Sequence, residues 1–123
     1  MHIDIETQGE LLLVTASGTI AFDSASRLLK QVFDTAAEKQ VSKILVNCLA
    51  VEGKLSTLER YDLGIEVVAY LELRQLNPKV AFVGKPPTVD GLGVRVGQNR
   101  GLITEVFSSQ QEALSWLHGW QAT

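Results

Sequence analysis

The side chains best suited to chemistry lie together at Ser56, Thr57 and Glu59. They follow a short apolar segment, residues 44–47, and they open a long segment with helical spacing. Where a helix begins just after a strand, its free backbone amides can bind an anion, and an exposed hydroxyl can accept a phosphate. Ser56 followed three residues later by Glu59 is also typical of a capping box, in which each side chain binds the other residue's backbone amide. Ser56 and Thr57 are therefore candidate phosphoacceptors, and for Ser56 a purely structural role is the alternative.

Other reactive residues do not combine into a catalytic set. His2 and His118 lie near opposite ends of the chain, and no spacing brings either of them beside a nucleophile and an orienting carboxylate. Two separate histidines and a single cysteine, Cys48, do not form a metal-ligand pattern. We predict no catalytic residue, no metal site and no cofactor, and hence a protein that is not an enzyme.

Two glycine-containing segments have superficial likeness to phosphate-binding loops. Residues 53–56 fail as a P-loop because Leu55 stands where a Ser or Thr must bind magnesium. Residues 91–97 fail as a dinucleotide fingerprint because the third glycine comes one residue late. The second segment remains of interest as a loop with Pro87, Gly91 and Gly93 beside two predicted helix starts. It is a candidate wall for a small apolar (lipid-like) or anionic ligand.

The elements that would position these residues follow from hydrophobic periodicity. Residues 3–6 and 11–17 alternate and predict a hairpin, with Gly18 ending the second strand. Apolar residues recur at helical spacing over 22–39 and 57–75, and apolar strands are predicted at 44–47, 79–83 and 102–107. A short helix precedes the last strand, and a terminal helix follows it. The order β-β-α-β-α-β-α-β-α predicts an α/β fold: a single mixed, mostly parallel sheet flanked by about four helices.

The helix over residues 57–75 is apolar on two sides. At 100° per residue, Leu58, Tyr61, Ile65 and Val68 form a stripe that we expect to face the sheet. Leu63, Val67 and Tyr70 fall on roughly the opposite side, among charged residues. Either neighbouring elements cover this second stripe, or it is an interaction surface for a partner, a second copy of the chain or an apolar ligand.

Composition limits the class of protein. The 123 residues are enough for one domain, which we assign to residues 1–123, and 46% are hydrophobic. A net charge of -3 with scattered basic residues argues against a nucleic-acid surface. The acidic N-terminus does not fit a signal peptide, and no apolar run is long enough for membrane insertion. The expected location is the cytoplasm.

With these elements in place, the chain resembles the STAS domain family, which includes anti-sigma-factor antagonists and the cytoplasmic domains of sulphate transporters. The likeness covers nearly the whole length: the opening hairpin, Gly18-Thr19-Ile20 before the first helix, the strand at 44–47 and the helix opening at Ser56. The ending, residues 106–117, is similar to a stand-alone bacterial branch grouped with Sec14-like domains.

The family's signature at the start of this helix is Asp-Ser-Ser/Thr-Gly, whose second hydroxyl is phosphorylated by a partner kinase. In this chain Leu55 replaces the Asp and Leu58 replaces the Gly, while Ser56 and Thr57 keep the hydroxyls. The resemblance implies the fold, a regulatory role without catalysis, and Thr57 as the aligned phosphoacceptor.

The sequence therefore predicts a non-enzymatic regulatory or protein-interaction domain that docks through the helix starting at Ser56. Its partner would be another protein or a second copy of the chain, as a homodimer. The alternative is a binding module for a small apolar or anionic ligand, held between the start of this helix and the loop of Pro87, Gly91 and Gly93.

Overall fold

The fold is built from five strands and four helices. The computed structural model describes residues 1–119. Its elements in chain order are β1 (His2–Gln8), β2 (Leu11–Thr19), α1 (Phe22–Lys39), β3 (Lys43–Glu52), α2 (Thr57–Arg74), β4 (Lys79–Val83), α3 (Leu92–Asn99), β5 (Ile103–Phe107) and α4 (Gln110–Leu117). The predicted order of elements and the α/β class are confirmed, and the predicted bounds of α1 match the observed ones.

All five strands form one sheet in the order β1-β2-β3-β4-β5. The β1–β2 pair is antiparallel, and the remaining pairs are parallel, so the predicted mixed sheet with an antiparallel edge is confirmed. Because β2 to β5 run in the same direction, their carboxyl ends meet at one edge of the sheet. We call this edge, where α2 and α3 also begin, the carboxyl edge.

The β2–β3 pair is longer than the sequence indicated. We expected Gly18 to end the second strand, and this is wrong: after a bulge between Thr15 and Ser17, β2 continues through Gly18 and pairs with Val51. Gly18 has a φ of 101°, a conformation that glycine adopts readily and other residues rarely do. Pairing with β3 therefore extends β2 beyond the bulge and through Gly18. The local sequence does not reveal this contact.

The two faces of the sheet carry two apolar clusters. On one face, side chains of β2, β3 and β4 pack against α1 and α2, with Phe33 and Leu71 almost fully buried. On the other face, Leu45 and Ala81 pack against Ala113 and Leu117 of α4. Both faces of β3 are thus covered, which explains its nearly continuous apolar sequence.

Helices α1 and α2 are joined by a polar contact as well as by apolar packing. Glu66 Oε1 accepts hydrogen bonds from Lys30 Nζ at 2.7 Å and from the buried Ser26 hydroxyl at 2.5 Å. These two bonds, the Lys30 bond above all, lower the pKa of Glu66. The carboxylate therefore stays charged to lower pH than an ordinary glutamate and links the two helices. Among residues 1–119, no helix combines the length and hydrophobicity needed to cross a bilayer.

Candidate functional site

The candidate site lies at the carboxyl edge, where the loops after β3 and β4 meet. Gly53 makes the turn out of β3 with a φ of +87°, and Leu55 then places its side chain in the core at 3% exposure. Thr88 from the loop after β4 donates a hydrogen bond to the Gly53 carbonyl at 2.5 Å. The two loops are therefore tied together, and α2 starts between them.

Ser56 caps the start of α2. Its hydroxyl accepts from the Glu59 amide at 3.1 Å, and the Glu59 carboxylate accepts from the Ser56 amide at 2.9 Å. Both halves of the predicted capping box are thus present. Thr57, the first helical residue, is exposed and takes no part in this reciprocal pair. The adjacent hydroxyls of Ser56 and Thr57 consequently have different surroundings, one engaged in capping and one facing solvent.

A carboxylate also occupies the start of α3. Asp90 Oδ1 accepts from the Leu92 amide at 3.1 Å, and Asp90 forms an ion pair with Arg60 of α2. Burial pushes the pKa of Asp90 upward, but the Leu92 amide and the Arg60 guanidinium outweigh burial and hold it below its ordinary value. With Glu59 at one helix start and Asp90 at the other, neither start offers the unneutralised positive end that an anionic ligand would need.

The predicted orientation of α2 is only partly right. Of the stripe expected to face the sheet, Val68 is buried, whereas Leu58 and Tyr61 are 67% and 43% exposed. The buried arc runs through Gly64, Val68 and Leu71. Its position is set by α3, because a Cβ on Gly64 would lie 2.9 Å from Val96 side-chain carbons. The helices approach too closely there for any larger residue to face inward.

The second apolar stripe is covered by neighbouring elements, which is one of the two alternatives that the sequence left open. Leu63 and Val67 are partly buried and line a cavity. Tyr70 packs against the α1 cluster, and its hydroxyl donates to Asp34 Oδ1 at 2.5 Å. The same carboxylate pairs with Arg74. These contacts hold the three side chains between α2, α1 and the sheet.

The cavity lies between the sheet and helices α1, α2 and α3, is partly open to solvent, and has a volume of about 170 Å³. Gly91 and Gly93 of the predicted ligand loop contribute to its lining, whereas Pro87 is exposed outside it. Arg60 and Asp90 line its end at the carboxyl edge. A cavity therefore exists between the start of α2 and the loop before α3, where the sequence placed a ligand. The residues that line the cavity come from every part of the fold, so the local sequence does not reveal this largely apolar wall.

The remaining reactive groups lie apart. Cys48 lines the cavity, and burial raises the pKa of its thiol to about 11, which keeps it protonated at neutral pH. His2 is exposed on β1 beside Asp4, and His118 is exposed at the end of α4. Within residues 1–119, His, Cys, Asp and Glu side chains form no group of three that could hold a metal ion.

Comparison with known proteins identifies the fold of this chain. Neither a protein-family model nor a curated protein matches the chain. Solved structures do match. An anti-sigma factor antagonist from Mycobacterium paratuberculosis aligns with a TM-score of 0.64 and 17% identity over 95% of this chain and 93% of that chain. The chain has the STAS fold.

Two further structures support this assignment. The anti-sigma factor antagonist SpoIIAA in its unphosphorylated form aligns with a TM-score of 0.57 and 18% identity over 98% of this chain and 99% of that chain. RsbS from Moorella thermoacetica aligns with a TM-score of 0.57 and 15% identity over 97% of each chain. At such identities the similarity establishes the fold alone, so the role of this STAS fold has to be argued from its own surface.

Proposed function

We propose that the chain is a non-enzymatic regulatory domain that binds a protein partner through the surface at the start of α2. We define this docking surface by Ser56, Thr57, Leu58 and Tyr61. The observation that carries the proposal is the exposure of Leu58 and Tyr61, at 67% and 43%, beside two hydroxyl residues. A large apolar side chain and an aromatic one at adjacent turns are the kind of anchors that protein interfaces bury.

The fold neighbours support a regulatory role. Two of the proteins that share the fold are described as anti-sigma factor antagonists, and SpoIIAA has been solved in a phosphorylated as well as an unphosphorylated form. Regulation of this kind acts through binding and charge and needs no catalytic residue in the domain itself. We therefore propose the same class of role for this chain, with a protein as its partner.

Thr57 is the phosphoacceptor in this proposal, with Ser56 as the cap. A phosphate on Thr57 would add up to about two negative charges at the first turn of α2, next to Leu58. Glu59 already neutralises much of the helix's positive end, so the added charge gains little from the helix. Its main effect would be to place a strongly hydrated group on an apolar contact, and we expect phosphorylation to weaken docking.

The docking proposal is tested by native mass spectrometry of the tagged protein isolated gently from its own source. We expect the wild type to carry a stoichiometric protein partner and the Leu58→Asp/Tyr61→Asp double variant to lose it. Leu73→Asp is the matched control, because Leu73 is 80% exposed on the same helix but lies at its other end. A phosphate-sized mass increment on Thr57 in partner-free molecules would support the switch.

Other outcomes would identify the partner or contradict the docking surface. A mass of two identical chains that the double variant abolishes would identify the partner as a second copy of the chain. Retention of the partner by the double variant, or its equal loss from Leu73→Asp, would overturn the docking surface. Circular dichroism of each variant checks that the fold is intact, which Leu63→Asp or Val67→Asp would not allow because each would place a charge among internally packed side chains.

A further inference from the structure

The cavity beneath α2 and α3 has a wall made almost entirely of carbon. It is bounded by apolar side chains from the sheet and from three helices, including Ala16, Val67 and Val80. The two charged side chains in its described lining, Arg60 and Asp90, pair with each other. A charged ligand would therefore lose its hydration without gaining a free partner, which makes the space suited to an uncharged molecule.

The position of the lining residues gives the cavity its shape. Ala16 and Asp90 lie towards the carboxyl edge of the sheet, whereas Val80 and Thr104 are paired near the starts of β4 and β5. Residues at both ends of the strands thus border one space of about 170 Å³. The cavity therefore extends from the carboxyl edge to the starts of β4 and β5.

One polar atom in the lining has no partner. Thr104 is 7% exposed, and its hydroxyl oxygen forms no hydrogen bond with any group in residues 1–119. The oxygen has almost no accessible surface, so the side chain must turn towards the cavity before a ligand can pair with it. A buried hydroxyl without a partner is destabilising, and such groups call for a specific explanation. Thr88 and the Arg60–Asp90 pair, at the other end, already have partners within the protein. The polar atom without a partner therefore lies at the end of the cavity near the start of β5.

We propose that this cavity binds a small, uncharged, largely apolar molecule carrying one hydrogen-bonding group, such as a hydroxyl, which pairs with Thr104. This goes beyond docking at the start of α2 and does not depend on it. It also narrows the ligand class that the sequence suggested, because the helix starts at the site are already occupied by carboxylates.

Water is a poor alternative occupant. A buried water usually makes about three hydrogen bonds, and an apolar cavity of roughly 150 Å³ stays dry yet binds small hydrocarbons. Thr104 by itself supplies too few polar contacts to hold a water in a space whose other walls are carbon. An apolar molecule with one polar end satisfies both features, because its hydrocarbon part fills the space and its hydroxyl meets Thr104.

The test uses straight-chain primary alcohols from butanol to octanol as probes, with thermal unfolding of the full chain as the readout. We expect saturable stabilisation by 1-hexanol, with affinity rising about fourfold per added CH₂ until the cavity is full. Alkylation of Cys48 by a maleimide is a second readout, because its buried, protonated thiol reacts only when the structure opens, and a bound alcohol should make opening rarer. Unchanged unfolding and labelling across the whole series would overturn the proposal.

Two variants locate the binding. Thr104→Val keeps the shape but removes the hydroxyl, so it should unfold at a higher temperature than the wild type without ligand. Its affinity for 1-hexanol relative to its affinity for n-hexane should fall below the wild-type ratio. Val67→Phe fills the space and should abolish the stabilisation by every alcohol. If Val67→Phe, shown to be folded, responds like the wild type, binding occurs elsewhere. If Thr104→Val keeps the wild-type ratio of the two affinities, the role of Thr104 is refuted.

Discussion

Two neighbouring hydroxyls at the start of α2 differ because of one hydrogen-bond pair. Ser56 exchanges bonds with Glu59, which satisfies two amides that the first turn would otherwise leave free. Thr57 is the first residue of the helix, takes no part in this pair and is exposed to solvent. Adjacent residues of similar chemistry therefore divide into a structural position and a position available for modification.

At this scale we predict that Ser56→Ala lowers the free energy of unfolding by about 1 kcal/mol, because both bonds of the capping box are lost. Thr57→Ala is the control and should change it by less than about 0.5 kcal/mol. Urea denaturation followed by circular dichroism measures both. Equal losses in the two variants would show that the capping box does not stabilise the native state.

The sequence predicts a residue's role best when its partner is close along the chain. The Ser56–Glu59 box was predictable because its spacing of three residues is set by helix geometry. The pairing of Tyr70 with Asp34 and the unpartnered hydroxyl of Thr104 were not, because each depends on which distant element lies opposite. Nothing in the local pattern around those residues distinguishes them from ordinary positions.

Helix α2 shows how an apolar pattern can fix an element without fixing its orientation. The existence and bounds of the helix follow from the capping box and from Pro78 beyond its end. The rotation of the helix about its own axis does not follow from the sequence. Either of its two apolar stripes could face the sheet, and periodicity does not distinguish them. Gly64 was the signal that could have decided it. Glycine within a helix costs roughly 1 kcal/mol, which marks a close contact.

We predict that Gly64→Ala destabilises the protein although alanine is the better helix former. Its Cβ would lie 2.9 Å from Val96 carbons and 3.0 Å from the Gly93 carbonyl oxygen, so α3 would have to shift. Gly93→Ala is the matched variant across the same contact, with its Cβ at an ordinary 3.5 Å from the Arg60 carbonyl oxygen. It should be neutral or stabilising by up to about 1 kcal/mol.

Thermal unfolding of the two glycine variants distinguishes these expectations. A lower melting temperature for Gly64→Ala with an equal or higher one for Gly93→Ala would agree with the close α2–α3 packing. If Gly64→Ala were the more stable variant, Gly64 would not face α3, and the orientation of α2 described above would be incorrect.

The distribution of helices over the whole molecule follows from the direction in which the sheet grows. Each parallel strand from β3 to β5 is added on the same side of the previous one. Right-handed crossovers repeated in one direction put their helices on one face, so α1, α2 and α3 share it. Helix α4 follows the last strand and covers the other face. The mixed sheet was predictable from element order, whereas the cavity under the three helices depends on side-chain packing that element order does not determine.

At the scale of the whole molecule we predict that β3 contains the most slowly exchanging backbone amides. Ile44 and Leu45 are fully buried between the two helical layers, and β3 is paired on both sides. Amides of β1 that point away from β2 lie at a free edge and should exchange far faster. Native-state hydrogen exchange measures both. Comparable protection of those β1 amides would indicate that another chain covers this edge in solution.

The antiparallel direction of β1 has a practical consequence for any fusion protein. Met1 lies against Gly18, 3.2 Å from the position a Cβ would take there, and so it emerges at the carboxyl edge beside the cavity and the start of α2. Helix α4 runs the other way, and its last carbonyls accept from Lys79 at the first residue of β4. A reporter attached ahead of Met1 would therefore crowd the docking surface, whereas one attached beyond α4 would leave it open to a partner.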